Sequence, residues 1–281
     1  MKRYIKRGFR TAVVTMLLIL TVMLIFPLGV EAIQNGQPDG NNHPYVCLVV
    51  FYNESDVPMW RTTGVLISPT VVLTAGHGTD GAYGARVWFW DVIPPSSSTG
   101  YPYGGPGSYH GTPHTNPDYR SVNPKGNGLP GFDYHDVGVV VLDSPAPVTQ
   151  YAQLPSVDFV DTLPMMNSVD LVGYGVNYQE RGGGVSPRDA WRWSRMRYYA
   201  PSNLIQSEGI LDSEFLKLTA NPGQGKGGTT FGDSGGPILN GGTNVILGLN
   251  SFVTNANCDG VTYAQRIDIP DILAWIATFL P

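Results

Sequence analysis

Short apolar runs separated by turn-forming residues dominate this chain and limit the folds that it can adopt. The 281 residues include 35 glycines and 23 prolines, which are typical of turns and loops. No helical periodicity is visible before the end of the chain. The runs that are typical of strands are Val46–Tyr52, Thr63–Ile67, Val71–Leu73, Ala85–Trp90, Val137–Leu142, Val169–Val172, Phe215–Leu218, Ile238–Leu239 and Val245–Phe252. The pattern therefore predicts an all-β barrel or sandwich.

One helix is predicted, at the end of the chain. Between Ile269 and Leu280 the apolar residues fall on one helical face, and Pro270 suits a first-turn position. Two segments lack a strand pattern. Asp91–Gly131 is rich in Gly, Pro, Ser and Tyr, and Gln179–Arg188 is a shorter Gly-rich loop. We expect the longer insert to be functional or disordered.

The N-terminus has the pattern of a secretory signal peptide. An apolar run from Thr11 to about Val30 precedes the small residues of Val30-Glu31-Ala32, and it follows a basic cluster of Lys2, Arg3, Lys6, Arg7 and Arg10. We expect cleavage after Ala32, which removes residues 1–32. The alternative is a retained membrane anchor, because the apolar run is long enough to span a bilayer. Either interpretation predicts an exported protein.

The charge balance of the remaining chain argues against a nucleic-acid partner. The whole chain has 17 Lys and Arg against 22 Asp and Glu. Residues 1–32 contain five of the basic residues and one of the acidic ones, so the remaining 249 residues have a formal charge of −9. Nucleic-acid-binding domains are usually basic.

Cys47 and Cys258 are the only cysteines in the chain. They allow either one disulfide or two buried thiols, and buried thiols are favoured because a disulfide requires a narrow geometry.

Three short motifs carry the residue types needed for acyl transfer from a serine. Gly232–Pro237 reads Gly-Asp-Ser-Gly-Gly-Pro and places Ser234 in a tight turn. Leu73–His77 and His135–Leu142 supply His77 and Asp136 upstream. A serine hydroxyl is a weak nucleophile at neutral pH and needs an adjacent base, and that base needs a partner to orient it.

These motifs, in this order, resemble the trypsin/chymotrypsin-like serine peptidases. The resemblance spans nearly all of the chain after residue 32. It rests on Ile33–Gly36, Gly64–Ser68, Leu73–His77, Asp136–Leu142, Gly173–Gly175, Asp233–Pro237, Ile246–Val253, Gly260–Ile267 and the final helix. It implies two packed six-stranded antiparallel β-barrels, the first at about residues 33–155 and the second at about 156–281, with the active site between them.

The chain departs from the family at several positions. Thr62, Gly78 and Thr230 stand where cysteines are usual, so the disulfides of animal members are absent, as in bacterial-type secreted members. Gly76 replaces the usual alanine before the histidine, where a small residue still fits. The insert before Asp136 is longer than is typical.

The resemblance implies a role for each site residue. Ser234 is the expected nucleophile, His77 the general base and acid, and Asp136 the residue that orients His77. The backbone amides of Gly232 and Ser234 are expected to form the oxyanion hole, and Ser251 is expected to hydrogen-bond Asp136. His43, His110, His114 and His135 lack metal-ligand spacing, so no metal or cofactor is predicted.

An activation ion pair is also implied. In this family a new N-terminal amine pairs with the carboxylate that precedes the nucleophile, and here those groups are Ile33 and Asp233. Cleavage after Ala32 exposes Ile33, so we expect export and activation to coincide. The alternative is that Ile33 is merely the first residue after a leader.

The expected substrate pocket consists of Gly228, Thr229, Ser251, Phe252, Val253 and Gly260. Gly228 lies six residues before Ser234, where an aspartate selects Lys or Arg, and its lack of charge argues against basic substrates. Val253 narrows the pocket and favours small or medium apolar P1 residues.

Together these features predict a secreted, monomeric serine endopeptidase that acts on proteins or peptides. They predict no nucleic-acid partner and no membrane association after signal cleavage. The alternatives are a catalytically silent binding protein on the same fold and a membrane-anchored form of the peptidase.

Overall fold

The computed structural model describes residues 33–121, 133–179, 191–205, 213–254, 258 and 260–281. The predicted signal peptide, most of the Gln179–Arg188 loop and the end of the long insert lie outside these residues. Within the described residues, strands dominate, and they form a closed barrel and a larger open sheet.

The closed barrel comes from the first half of the chain. Its strands are adjacent in the order β2-β3-β4-β7-β6-β5. All neighbouring strands are antiparallel, with Cys47 opposite Gly64 and Val72 opposite Val140. The six strands are β2 (Val46–Tyr52), β3 (Pro58–Leu66), β4 (Val71–Thr74), β5 (Gly84–Trp88), β6 (Tyr109–Thr115) and β7 (Gly138–Leu142).

The larger sheet comes mainly from the second half. Its order is β1-β11-β8-β13-β14-β15-β12, and its seven strands are β1 (Gln37–Pro38), β8 (Ser168–Gly173), β11 (Tyr198–Asn203), β12 (Phe215–Ala220), β13 (Pro237–Asn240), β14 (Ile246–Val253) and β15 (Gly260–Arg266). A bridge between Leu204 and Leu218 brings β11 and β12 together, so the sheet curls into a partial barrel. A separate pair is formed by β9 (Val176–Gln179) and β10 (Trp191–Trp193).

Within the part of the chain that the structure describes, three short or terminal helices accompany the sheets. Helix α1 (Gly76–Thr79) carries His77, α2 (Ser96–Thr99) lies in the long insert, and α3 (Pro270–Ala277) follows the last strand. Single 3₁₀ turns occupy Phe159–Thr162 and Pro222–Gln224. Helix α3 has Pro270 in its first turn, and it buries Ile272 and Ile276. The predicted all-β class and C-terminal helix are therefore confirmed.

The prediction that Asp91–Gly131 contains no strand was wrong. Tyr109–Thr115 forms β6, which pairs with both β5 and β7 and closes the first barrel. Its sequence, Tyr-His-Gly-Thr-Pro-His-Thr, has no apolar alternation. The strand exists because two neighbouring strands satisfy its backbone groups, a tertiary effect that periodicity does not report.

Among the described residues, the two larger of three apolar clusters hold the strands together. One fills the first barrel and continues between the barrels to Leu249, Ile267 and the buried face of α3. The other lies within the second sheet and includes Ile33, Leu171 and Leu247. Both Cys47 and Cys258 are buried, and the structure contains no disulfide between them.

A buried ion pair anchors the segment that follows Ile33. Arg197 and Asp39 are fully buried, and Arg197 Nε donates to Asp39 Oδ2 at 2.8 Å. Arg197 Nη1 also donates to the Val46 carbonyl oxygen at 2.8 Å. This network ties the N-terminal segment to both sheets. Among the described residues, no helix is both long and apolar enough to cross a bilayer.

Candidate active site

His77 and Asp136 meet at the edge of the first barrel. Helix α1 follows β4 directly and carries His77, while Asp136 precedes β7, the neighbour of β4. His77 Nδ1 lies 2.8 Å from Asp136 Oδ2, and the backbone amide of His77 donates to Asp136 Oδ1 at 2.7 Å. The carboxylate therefore holds both the imidazole and the first turn of its helix.

Two further groups hold Asp136 in place. Ser251 Oγ donates to Asp136 Oδ2 at 2.5 Å, as the family resemblance implied. The Asp136 amide donates to Oε1 of the buried Gln265 at 3.0 Å. Both residues come from the second sheet, so the position of Asp136 depends on the packing of the two halves. Sequence reasoning missed Gln265, because no local motif marks it.

The electrostatics favour an ionised Asp136 beside His77. Burial alone raises the pKa of Asp136, but the charge of His77 and the hydrogen bonds from His77 and Ser251 outweigh it and hold the pKa below its ordinary value. For His77, burial lowers the pKa, and the charge of Asp136 with its hydrogen bond brings the net shift above the ordinary 6.5. Such a pair can accept a proton at His77 and stabilise the resulting imidazolium.

The loop that carries Ser234 contains glycines at positions that disfavour a residue with a side chain. Gly232 and Gly235 have φ angles of 92° and 75°, which favour glycine. A Cβ on Gly235 would lie 2.3 Å from Thr74 Oγ1 and 2.4 Å from the Ala75 amide nitrogen. The turn thereby packs directly against the strand that leads to His77.

The backbone amides of Gly232 and Ser234 donate to no other described residue. Their carbonyl oxygens, in contrast, accept from Thr63: the Thr63 hydroxyl donates to the Gly232 oxygen at 3.0 Å, and its amide to the Ser234 oxygen at 2.9 Å. Thr63 Oγ1 also accepts from the Tyr174 amide at 3.0 Å. Thr63 thus positions the loop from the first barrel, a contact that the sequence did not indicate.

Asp233 is fully buried, and three groups hold it. Its carboxylate accepts from the amides of Gly175 and Thr230, each at 2.8 Å, and from the Thr230 hydroxyl at 3.0 Å. A Cβ on Gly173 or Gly175 would lie within 2.4 Å of this carboxylate, so those glycines make room for it. Burial raises the pKa of Asp233 to about 7 despite the hydrogen bonds and the nearby charge of Arg61.

Ile33 is fully buried in the apolar cluster of the second sheet. The next residue, Gln34, exchanges two backbone hydrogen bonds with Gly228, at 2.9 and 3.2 Å. These bonds direct Ile33 inward, against the segment that leads to the Ser234 loop.

A cavity of about 160 Å³ opens beside Ser234 and His77. Four of the six residues predicted for the substrate pocket line it: Thr229, Ser251, Phe252 and Val253. Gly228 and Gly260 are not among the lining residues. Gly228 faces Ala220, since a Cβ there would lie 2.5 Å from Ala220 Cβ, and Gly260 is exposed. Thr230, Phe231 and Asn250 also line the cavity, and sequence reasoning missed them.

Among the described residues, no group of three or more His, Cys, Asp or Glu side chains is arranged to hold a metal ion. Two of the family's usual cysteine positions, Thr62 and Gly78, are neighbours here, because a Cβ on Gly78 would lie 2.8 Å from Thr62 Cγ2.

Comparison with solved structures supports the fold. The chain is similar to a collagenase designated HL, with a TM-score of 0.62 and 18% identity over 90% of this chain and 97% of the other. It is also similar to human heparin binding protein, with a TM-score of 0.60 and 17% identity over 90% and 96% of the two chains. At these identities the likeness concerns the fold alone.

Sequence relatives identify the class of enzyme. Serine protease 1 of Drosophila melanogaster is 25% identical over 87% of this chain and 84% of its own length. The phenoloxidase-activating enzyme of Bombyx mori is 27% identical over 89% of this chain and 59% of its own length. The family model named Trypsin matches residues 33–276. The chain therefore belongs to the trypsin family of serine proteases and is a serine endopeptidase.

Proposed function

We propose that the chain is a secreted endopeptidase that cleaves peptide bonds through Ser234, His77 and Asp136 and an acyl-enzyme intermediate. The observation that carries this proposal is the joint placement of these residues. His77, which is held by Asp136, and the half-buried Ser234 line one cavity, and the loop of Ser234 has two backbone amides that donate to no other described residue.

In the first step Ser234 Oγ attacks the carbonyl carbon of the scissile bond, and its proton passes to His77 Nε2. His77 Nδ1 keeps its proton on the side of Asp136, which stabilises the imidazolium. His77 then returns the proton to the leaving amine as the C–N bond breaks. Water, deprotonated by His77, then attacks the acyl carbon. His77 returns that proton to Ser234 Oγ as the ester bond breaks and the acid product leaves.

The oxyanion of each tetrahedral intermediate would be bound by the amides of Gly232 and Ser234. The carbonyl oxygens that share a peptide plane with these amides are held within the protein: the Phe231 oxygen accepts from the Val176 amide and the Asp233 oxygen from the Gly236 amide, each at 2.8 Å. These bonds fix the direction in which the two amides point. Preorganised donors of this kind contribute strongly because they need no reorientation during the reaction, and losing one typically lowers the rate about 100- to 1,000-fold.

Activation follows from the N-terminus. Cleavage after Ala32 would create an ammonium group on the buried Ile33, and the buried Asp233 is the carboxylate proposed to pair with it. Removing one partner of a buried ion pair costs about 3–5 kcal/mol, which is enough to order or disorder a loop. Export and activation would then be a single event.

Specificity is proposed to favour small or medium P1 side chains. The cavity is small, and Phe252 and Val253 give it apolar walls. The ring of Phe252 stacks on the ring of Tyr263 at a centroid distance of 4.8 Å, which holds its orientation. No basic P1 residue is expected, since no carboxylate lines the cavity.

A fluorophosphonate probe tests the proposed nucleophile. The intact mass of the secreted protein is measured before and after labelling, alongside a Ser234→Ala variant. We expect a chain that begins at Ile33 and gains one adduct in the wild type only. An adduct on a chain that begins elsewhere would discard the activation route and keep the enzyme. A folded chain that begins at Ile33 and gains no adduct would instead indicate a silent binding protein.

A further inference from the structure

We propose that Asn250 makes this peptidase selective for P1 side chains that end in a neutral carboxamide, namely glutamine or asparagine. The inference rests on the proposed function and refines it: the apolar walls of the pocket would hold the stem of the side chain, and Asn250 would bind its end.

Asn250 is a buried polar side chain at the wall of the cavity. The residue is only 2% exposed, and it lines the cavity together with Ser234. Neither its Nδ2 nor its Oδ1 has a hydrogen-bond partner among the described residues. A buried amide without partners costs free energy, and most buried polar groups in proteins are hydrogen-bonded. A bound ligand that supplies the missing hydrogen bonds would offset this cost.

The other polar side chains of the pocket wall are already engaged. The Thr229 hydroxyl lies 3.4 Å from Thr262 Oγ1, and the Thr230 hydroxyl lies 3.0 Å from both the Val176 oxygen and Asp233 Oδ2. Ser251 donates to Asp136. Apart from the reacting Ser234 and His77, Asn250 is thus the polar side chain in the described lining that has no hydrogen-bond partner among the described residues.

The position of Asn250 relative to the nucleophile suits a P1 contact. The backbone carbonyl oxygen of Asn250 accepts from the Gly235 amide at 2.7 Å, and its backbone amide donates to the Gly236 oxygen at 2.9 Å. Strand β14 is thereby fixed directly beside the residues that follow Ser234. When the carbonyl carbon of the P1 residue lies at Ser234, a P1 side chain that extends into the cavity would contact this wall.

The chemistry of Asn250 selects the ligand. Nδ2 donates and Oδ1 accepts, so the best complement is a group that does both in one plane, which a second carboxamide does with two hydrogen bonds. A carboxylate can only accept and an ammonium can only donate. Neither would find a counter-charge, because no Asp, Glu, Lys or Arg side chain is among the residues that line the cavity. Burying an unpaired charge is costly, so charged isosteres should be rejected.

Peptides that differ only at P1 test the assignment. The kcat/KM values are compared for Gln, Met and Glu, and for Asn, Leu and Asp, on fluorophosphonate-titrated wild-type enzyme. We expect each amide to exceed its apolar isostere by about 10-fold or more, because a site built to hydrogen-bond a substrate discriminates strongly against analogues that lack the group. Charged isosteres should be cleaved more slowly still.

The variant Asn250→Leu replaces the amide by an apolar group of similar shape. It should reverse the order of Gln and Met and of Asn and Leu while keeping full titration by the probe. Its melting temperature should not fall, because the substitution removes two unsatisfied polar atoms. Asn203→Leu is the matched control: Asn203 lies outside the cavity, and its Nδ2 donates to the Met166 oxygen at 2.9 Å. This control should keep the wild-type P1 order.

If the wild type titrates fully but prefers Met and Leu, the assignment of Asn250 is wrong and the peptidase stands. The assignment is equally wrong if Asn250→Leu keeps the wild-type order. If Asn250→Leu does not fold, the wild-type isostere series still decides the question. Failure of the wild type to titrate at all would instead overturn the proposed function.

Discussion

The charge state of Asp233 should depend on whether Ile33 carries a free amine. In the full-length chain a peptide bond joins Ile33 to Ala32, so no ammonium group is present. Burial then raises the pKa of Asp233 from 3.8 to about 7. Since one pKa unit is about 1.4 kcal/mol, ionising Asp233 in the folded chain costs about 4 kcal/mol above pH 7.

The sign of the pH dependence follows from this shift. The folded pKa of Asp233 lies above its unfolded value, so the stability it contributes is complete below pH 3.8 and is lost as the pH rises through about 7. An ammonium group on Ile33 would favour the ionised carboxylate and remove this loss. The chain that begins at Ile33 should therefore be more stable than one that retains Ala32, by about 1 kcal/mol at pH 4.5 and about 4 kcal/mol at pH 7.5.

Urea unfolding of two chains measures this difference. One chain spans residues 33–281 and the other keeps Ala32, both with Ser234→Ala to prevent self-digestion. As a control, Asp233→Asn in both chains should remove the advantage of the chain that begins at Ile33 at pH 7.5, because its ammonium group then has no carboxylate to pair with. If the two chains with Asp233 intact show the same free energy of unfolding at both pH values, the proposed ion pair is refuted.

Three further predictions concern the site. If Asp136 acts as proposed, Asp136→Asn should lower kcat by about 10⁴-fold, as in Ser-His-Asp enzymes. In the wild type a pH profile of kcat/KM should rise with a midpoint above 6.5, since Asp136 raises the pKa of His77. A profile centred below 6.5 would contradict that pairing. Thr63→Val should lower kcat about 10- to 100-fold and the free energy of unfolding by about 3 kcal/mol, because it frees the Gly232 carbonyl and leaves the buried Tyr174 amide unpaired. Thr63→Ser should retain most activity. Equal kinetics of the two variants would show that the hydroxyl does not position the loop. Gly235→Ala should destabilise the fold by about 3 kcal/mol or more in thermal unfolding, since its φ is 75° and a Cβ would overlap backbone atoms; a neutral effect would show that the turn can relax.

Local sequence was sufficient to predict the elements whose signal lies within a few residues. Strand β2 has the predicted bounds, Val46–Tyr52, because every residue in it is apolar and buried. Helix α3 was recognised by its apolar face and by Pro270. Strand β6 was missed, since its pairing partners and not its own residues make it a strand. The predicted domain boundaries, signal cleavage and oligomeric state remain predictions.

The same distinction between local motifs and long-range contacts applies to the residues of the candidate site. His77, Asp136 and Ser234 could be predicted because each lies in a short motif with its own local geometry. The residues that support them could not: Gln265 is 129 positions from Asp136, and Thr63 is 169 positions from Gly232. Contacts at such separations depend on strand register and on the packing of the two sheets, which a single sequence does not reveal.

The sequence by itself determined the chemistry available to this protein: a serine in a glycine turn, a histidine after one strand and an aspartate before another. Only the tertiary structure decided which polar groups find partners within the protein. Thr229, Thr230 and Ser251 do, whereas the side-chain amide of Asn250 has no partner among the described residues. The physical reason is that hydrogen-bond satisfaction is a property of three-dimensional neighbours, and an asparagine reads the same in a sequence whether its amide is paired or faces a cavity.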